Sequence, residues 1–131
     1  MCVYLDTAPV IYLVEHVEPY LAYLITRLGE SGLIQVCGEL TRLETRVKPI
    51  RLNDTALLMA FDDYFSEIIE DVVPLTRAIV DYATELRARY NFRTPDALQL
   101  ASAIGGECDY FLTNDSALQK CTEIKVEVIP I

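Results

Sequence analysis

Four acidic residues stand at positions where a carboxylate can do chemistry: Asp6, Glu44, Asp96 and Asp115. Asp6 follows the apolar run Cys2 to Leu5 directly and precedes a helical stretch. In an open parallel sheet that places it at the carboxyl edge, where ligands bind. Asp115 holds the same kind of position after Tyr110 to Leu112. Either one alone is accounted for by turn and capping chemistry. Glu44 falls about 40° from Leu40 around a helix, within a stripe formed by Leu40, Leu43 and Val47. A carboxylate facing a core edge is costly unless a cation or a donor meets it; an arginine from Arg42, Arg46 or Arg51 and a metal ion serve equally well. Asp96 opens a helix whose body, Ala97 to Ile104, is apolar or small apart from Gln99 and Ser102. That helix is expected to be central and buried, its N-terminus inside the molecule. Asp96 there either favours the helix dipole or projects from a rigid element as a ligand.

Two acids on strand ends and two on buried helices form a set of hard oxygen donors suited to Mg²⁺ or Mn²⁺. Spacing alone does not establish that they converge. Softer metal chemistry is disfavoured. Cys2, Cys37, Cys108 and Cys121 are scattered singly and His16 is the one histidine, a poor pattern for zinc. Cys2 and Cys37, in strand-like runs, are expected to be buried free thiols in a reducing compartment rather than bridged. His16 is expected at the surface.

The elements that position these acids alternate short β-type runs with longer helical ones, the pattern of an α/β fold with a mainly parallel sheet. Strands are expected at Cys2 to Leu5, Leu33 to Cys37, Tyr110 to Leu112 and Lys125 to Ile129, with Ile68 to Val73 a strand or a loop. Thr7 is the expected cap of the first helix. Further helices are read at Pro19 to Leu28, Glu39 to Val47, Asp54 to Phe65 and Thr76 to Tyr90, with Pro49 separating the third from the fourth. Thr94 as cap, Pro95 at the first helical position and Asp96 begin another helix, which Gly105 and Gly106 stop. Ser116 to Lys120 suggests a short helix.

At 131 residues the chain is expected to be one domain, residues 1–131, with one core. No apolar run approaches the length of a spanning helix and no signal-type N-terminus is seen, which points to a soluble, cytoplasmic protein. A net charge of −9 argues against a broad basic nucleic-acid face. However, seven of the eleven basic residues fall in two stretches, Arg42, Arg46, Lys48 and Arg51, then Arg87, Arg89 and Arg93, each next to one of the acids.

The sequence resembles the PIN-domain ribonucleases of the VapC type, the toxins of toxin–antitoxin pairs. The resemblance runs end to end on Tyr4 to Thr7 (YLDT), Leu40 to Thr45 (LTRLET), Thr94 to Ala101 (TPDALQLA) and Phe111 to Asp115 (FLTND). It implies a three-layer α/β/α sandwich around a short, mainly parallel sheet. It also implies that Asp6, Glu44, Asp96 and Asp115 form the catalytic, metal-binding cluster, with Thr7, Thr113 and Asn114 as polar support. The implied chemistry is hydrolysis of an RNA phosphodiester by water that one or two divalent ions, Mg²⁺ or Mn²⁺, activate. Bound cations would reverse the local charge where phosphate approaches, and Arg42, Arg46 and Arg93 are candidates to guide the RNA backbone, as Arg87 and Arg89 also are. The implied partners are a second copy of the chain and an antitoxin that covers the acidic groove. Tyr20, Tyr23, Leu24, Leu57, Leu58, Phe61, Tyr64 and Phe65 are either core or the apolar surface of such an interface.

Other readings fit less well. A haloacid-dehalogenase-like phosphatase needs a second acid where Ala8 stands, a receiver domain needs an acidic pair before its aspartate, and dinucleotide binding needs a glycine-rich first turn. The competitor from another class is a catalytically inactive PIN-like protein-binding module. Occupation of all four acidic positions weighs against it.

Overall fold

The computed structural model describes residues 1–131. Five strands, β1 (Cys2–Leu5), β2 (Ile34–Gly38), β3 (Asp71–Val73), β4 (Tyr110–Thr113) and β5 (Lys125–Val128), form one sheet in the order β3-β2-β1-β4-β5. Every pairing is parallel. A parallel sheet is covered on both faces, so its central strands are apolar throughout; Val3, Tyr4 and Leu5 of β1 are each fully buried. Successive side chains of a strand point to opposite faces, and the core divides accordingly. Tyr4, Val36 and Phe111 face one cluster with Leu86 and Leu100. Val3, Leu5, Cys37 and Leu112 face another with Leu24, Phe61 and Phe65.

The helices α1 (Thr7–Val14), α2 (Tyr20–Leu28), α3 (Glu39–Arg51), α4 (Thr55–Glu67), α5 (Arg77–Tyr90) and α6 (Thr94–Gly105) complete the sandwich, and Ser116–Lys120 forms a 3₁₀ turn. The expected α/β/α architecture and its parallel sheet are therefore present. Leu24, Phe61 and Phe65 are core residues, and Tyr20, Tyr23, Leu57 and Tyr64 pack against the same cluster. No helix is long and apolar enough to cross a membrane.

Several local expectations are corrected. The cap of α1 is Asp6, not Thr7: its carboxylate accepts from the Thr7 N–H. At α6 the cap position belongs to Arg93, which shifts Thr94 into the helix. The first turn of α6 lies at the surface rather than inside, with Arg93, Thr94 and Pro95 exposed, although the body of the helix is buried as expected. Pro49 does not end α3; the helix continues through it to Arg51, with the proline buried near the last turn. The Leu43 and Val47 stripe turns outward, 57% and 41% exposed. The buried face of α3 is instead Thr41, Thr45 and Pro49, spaced four apart as one face of a helix requires. The threonines escape a hydropathy reading because they are buried through hydrogen bonds: Thr45 Oγ1 donates to the Thr41 carbonyl.

Cys2 is not a free thiol. It is disulfide-bonded to Cys108, with Cα atoms 4.8 Å apart. Cys37 and Cys121 are free and buried. His16 is exposed, as expected.

Candidate metal and catalytic site

The carboxyl ends of β1 and β4 lie side by side, and their pairing fixes Asp6. Its N–H donates to the Leu112 carbonyl at 3.0 Å. Its Oδ1 accepts from the Thr7 N–H and its Oδ2 from Thr113 Oγ1, each at 2.8 Å. Thr113 is fully buried, so this hydroxyl is a rigid donor. Burial nevertheless dominates, pushing the Asp6 carboxyl up to about 6; the Thr113 and Thr7 donors oppose that rise, while the charges of Asp96 and Glu44 add to it. Asp6 is thus a buried carboxyl whose charged form is disfavoured.

Glu44 reaches the same place from α3. It lies beside the buried Thr41 and Thr45 rather than within an apolar stripe. Its Oε1 accepts from Thr7 Oγ1 at 2.6 Å and from Gln99 Nε2 at 3.0 Å. Asp96 stands in the first turn of α6, with Oδ2 3.4 Å from Arg93 Nε. Asp115 caps the 3₁₀ turn, its Oδ1 accepting from the Ala117 N–H at 3.0 Å, while its own N–H donates to Thr113 Oγ1 at 3.1 Å. Asn114 Nδ2 donates to the Tyr12 hydroxyl.

All four acids line one cavity of about 350 Å³, together with Thr7, Gln99 and Asn114; Arg93 is its single cationic side chain. Of the expected support residues, Thr7 and Asn114 reach the cavity wall and Thr113 acts from beneath Asp6. As placed, no three acids are close enough to enclose a metal ion. The fixed donors described above engage both oxygens of Asp6 and one oxygen each of Glu44, Asp96 and Asp115. The donor set nevertheless fits a hard divalent cation. It consists of oxygens alone, carries four carboxylates against one guanidinium, and leaves Glu44 Oε2, Asp96 Oδ1 and Asp115 Oδ2 without protein donors. Mg²⁺ and Mn²⁺ favour such sets.

Arg93 is the one candidate RNA-guiding arginine on the cavity. Arg42 and Arg46 line a separate groove of about 600 Å³ with Leu43, Val47 and Ile50, and they pair with Glu39 and Asp62. Arg87 donates to the Phe92 carbonyl and Arg89 pairs with Glu123. Gln99, Tyr4 and Thr41 join the site without being among the residues expected there. A single amide inside the otherwise apolar or small body of α6 was the available signal.

A family model, described as PIN domain, matches residues 3–123. No curated protein matches. Among solved structures, VapBC2 from Rickettsia felis bound to a DNA fragment from its promoter superposes with a TM-score of 0.78 at 16% identity, covering 98% of each chain. A toxin–antitoxin complex from Klebsiella pneumoniae gives 0.75 at 16% identity, over 93% of this chain and 94% of that one. FitAcB from Neisseria gonorrhoeae gives 0.72 at 14% identity, over 95% of both. At these identities the likeness is one of fold.

Proposed function

This chain belongs to the PIN domain family, a family of nucleases that generally use divalent metal ions, and on that premise we propose that it is an Mg²⁺-dependent endoribonuclease, with Mn²⁺ as a substitute. The observation that carries the proposal is the gathering of Asp6, Glu44, Asp96 and Asp115 on one cavity opposed by a single arginine. Burial, with the charges of Asp96 and Glu44 added, raises the Asp6 carboxyl to about 6, a rise that a bound cation would oppose.

In this reading the four carboxylates are the metal and catalytic residues. Asp6 and Glu44 are the fixed members, each held by two donors. Asp96 binds from the head of α6 and releases Arg93 toward the RNA backbone. Asp115 sits at the rim and orients a ligand, directly or through water. A divalent cation bound there would acidify water and offset charge building on the scissile phosphate. Thr113 and Thr7 keep Asp6 in place, and Asn114 offers a polar wall to the substrate. Single-stranded or looped RNA fits best, because its phosphates can enter a cavity of this size.

The Klebsiella pneumoniae structure is described as a toxin–antitoxin complex, which supports reading this chain as the toxin of such a pair, acting in the cytoplasm, with a cognate antitoxin. The exposed Leu43, Val47 and Ile50 of α3, with Leu75 beside them, form an apolar groove suited to a second copy of the chain. Residues 1–131 act as one catalytic unit.

Cleavage of varied RNAs with Mg²⁺ or Mn²⁺, comparing wild type with Asp6→Asn and Asp96→Asn, tests the proposal. Equal cleavage by all three would sink the mechanism. A metal-loaded wild type that cleaves nothing would favour the protein-binding module instead.

A further inference from the structure

Gln99 is 2% exposed on a helix whose other buried residues are alanines, Leu100 and Ser102. A buried amide is costly unless all its groups are paired, and here all are. Oε1 accepts from the Tyr4 hydroxyl at 2.5 Å and from Thr41 Oγ1 at 3.1 Å. Nε2 donates to Glu44 Oε1 at 3.0 Å and to Thr7 Oγ1 at 3.2 Å. Rotating the amide by half a turn would set its oxygen against the Glu44 oxygen, acceptor against acceptor, so the orientation is fixed by the network. Even the backbone makes room: a Cβ at Gly38 would overlap the Tyr4 hydroxyl.

This arrangement has a consequence for Glu44. Its Oε1 already accepts from Thr7 and from Gln99, while Oε2 has no protein donor on a residue that lines the acidic cavity. We propose that Gln99 is a positioning residue that holds Glu44 as a one-oxygen ligand, presenting Oε2 to a divalent cation, and that Tyr4 and Thr41 lock Gln99 in the orientation this requires. The inference rests on the reading that the cavity binds such a cation. Gln99 touches neither metal nor RNA; it acts through Glu44, as hydrogen-bonded outer groups orient the ligands of metal sites.

The test is Mn²⁺ binding to the intact protein without RNA, followed by titration calorimetry and by the electron paramagnetic resonance of free Mn²⁺. Gln99→Met, close in volume and without donors, is expected to weaken binding by roughly 10- to 100-fold. Tyr4→Phe keeps the ring and removes one of the two donors to Oε1, so a smaller loss in the same direction is expected, and it keeps the test open if Gln99→Met folds poorly. Ile79→Val on α5, far from the cavity, should lower Tm without changing Mn²⁺ affinity. Wild-type binding with unchanged affinity in Gln99→Met, or in Tyr4→Phe where Gln99→Met does not fold, would overturn the positioning role and leave the metal site standing. An equal loss in Ile79→Val would reduce the effect to general destabilisation and overturn it too. A wild type that binds no Mn²⁺ at millimolar concentration would remove the metal site itself, and the inference with it.

Discussion

The two ends of β1 and β4 differ in what holds them. At the amino end, Cys2 is bonded to Cys108, the Cys2 N–H donates to Asp109 Oδ2 and the Asp109 N–H donates back to the Cys2 carbonyl. There the Asp109 carboxylate and the Cys2 backbone satisfy one another. At the carboxyl end the same two strands lead into Asp6 and Asp115 on a cavity with four acids and one arginine, with Thr113 buried and bonded to Asp6. The carboxyl end gathers like charge, whereas the amino end is held by a covalent bond and reciprocal hydrogen bonds. The contrast teaches that a site can be left short of counter-charge because the strands bearing it are tied together elsewhere.

The strongest way to break the contrast is to neutralise the acidic end. Asp6→Asn should lower RNA cleavage by on the order of a thousandfold, about 4 kcal/mol of barrier, while raising Tm in metal-free buffer. A joint loss of activity and stability would contradict it. Next comes the tied end: Cys2→Ser opens a bridge spanning 106 residues and should cost about 2–5 kcal/mol in denaturant unfolding. Cleavage at 25 °C should persist, since no cavity residue is touched.

A third test uses pH on the metal-free protein. The Asp6 carboxyl lies at about 6 when folded against 3.8 in its ordinary state, so the folded state holds the proton more tightly. Between those values the native protein binds more protons than the unfolded chain, and stability falls as pH rises. The loss from this group, about 2–3 kcal/mol, is complete above pH 6 to 7; Asp6→Asn should flatten the curve, as should saturating Mg²⁺. The smallest effect is at the rim. Arg93→Ala should raise KM a few-fold and lower the salt dependence of RNA binding by about one counter-ion, whereas Arg42→Ala should change neither, since Arg42 lines the other groove.

Much of this organisation is legible in the sequence, and the failures share a cause. β1, β4 and the buried body of α6 are read correctly because burial there is hydrophobic and continuous. Asp6 follows from its place after β1. α3 misleads because its buried positions are threonines and a proline while leucine, valine and isoleucine face out; hydropathy assigns that helix the wrong face, although Glu44 still arrives at the cavity. Thr7 and Thr94 look like caps by residue type, but Asp6 and Arg93 occupy those positions, an offset of one residue that local preference does not resolve. The Cys2–Cys108 bridge depends on a register between β1 and β4 that appears only once the sheet is built. The Tyr4, Gln99 and Glu44 chain is invisible for the same reason, joining residues from three separate elements.

The sheet order also has a consequence for the timing of synthesis. β1 precedes the other four strands in the chain and lies at the centre, with β2 on one side and β4 on the other. Asp6 therefore waits for its partner Thr113 until most of the chain has left the ribosome, and the cavity cannot assemble on a nascent fragment. The acidic site is therefore a late product of folding, closed only when β4 docks beside β1.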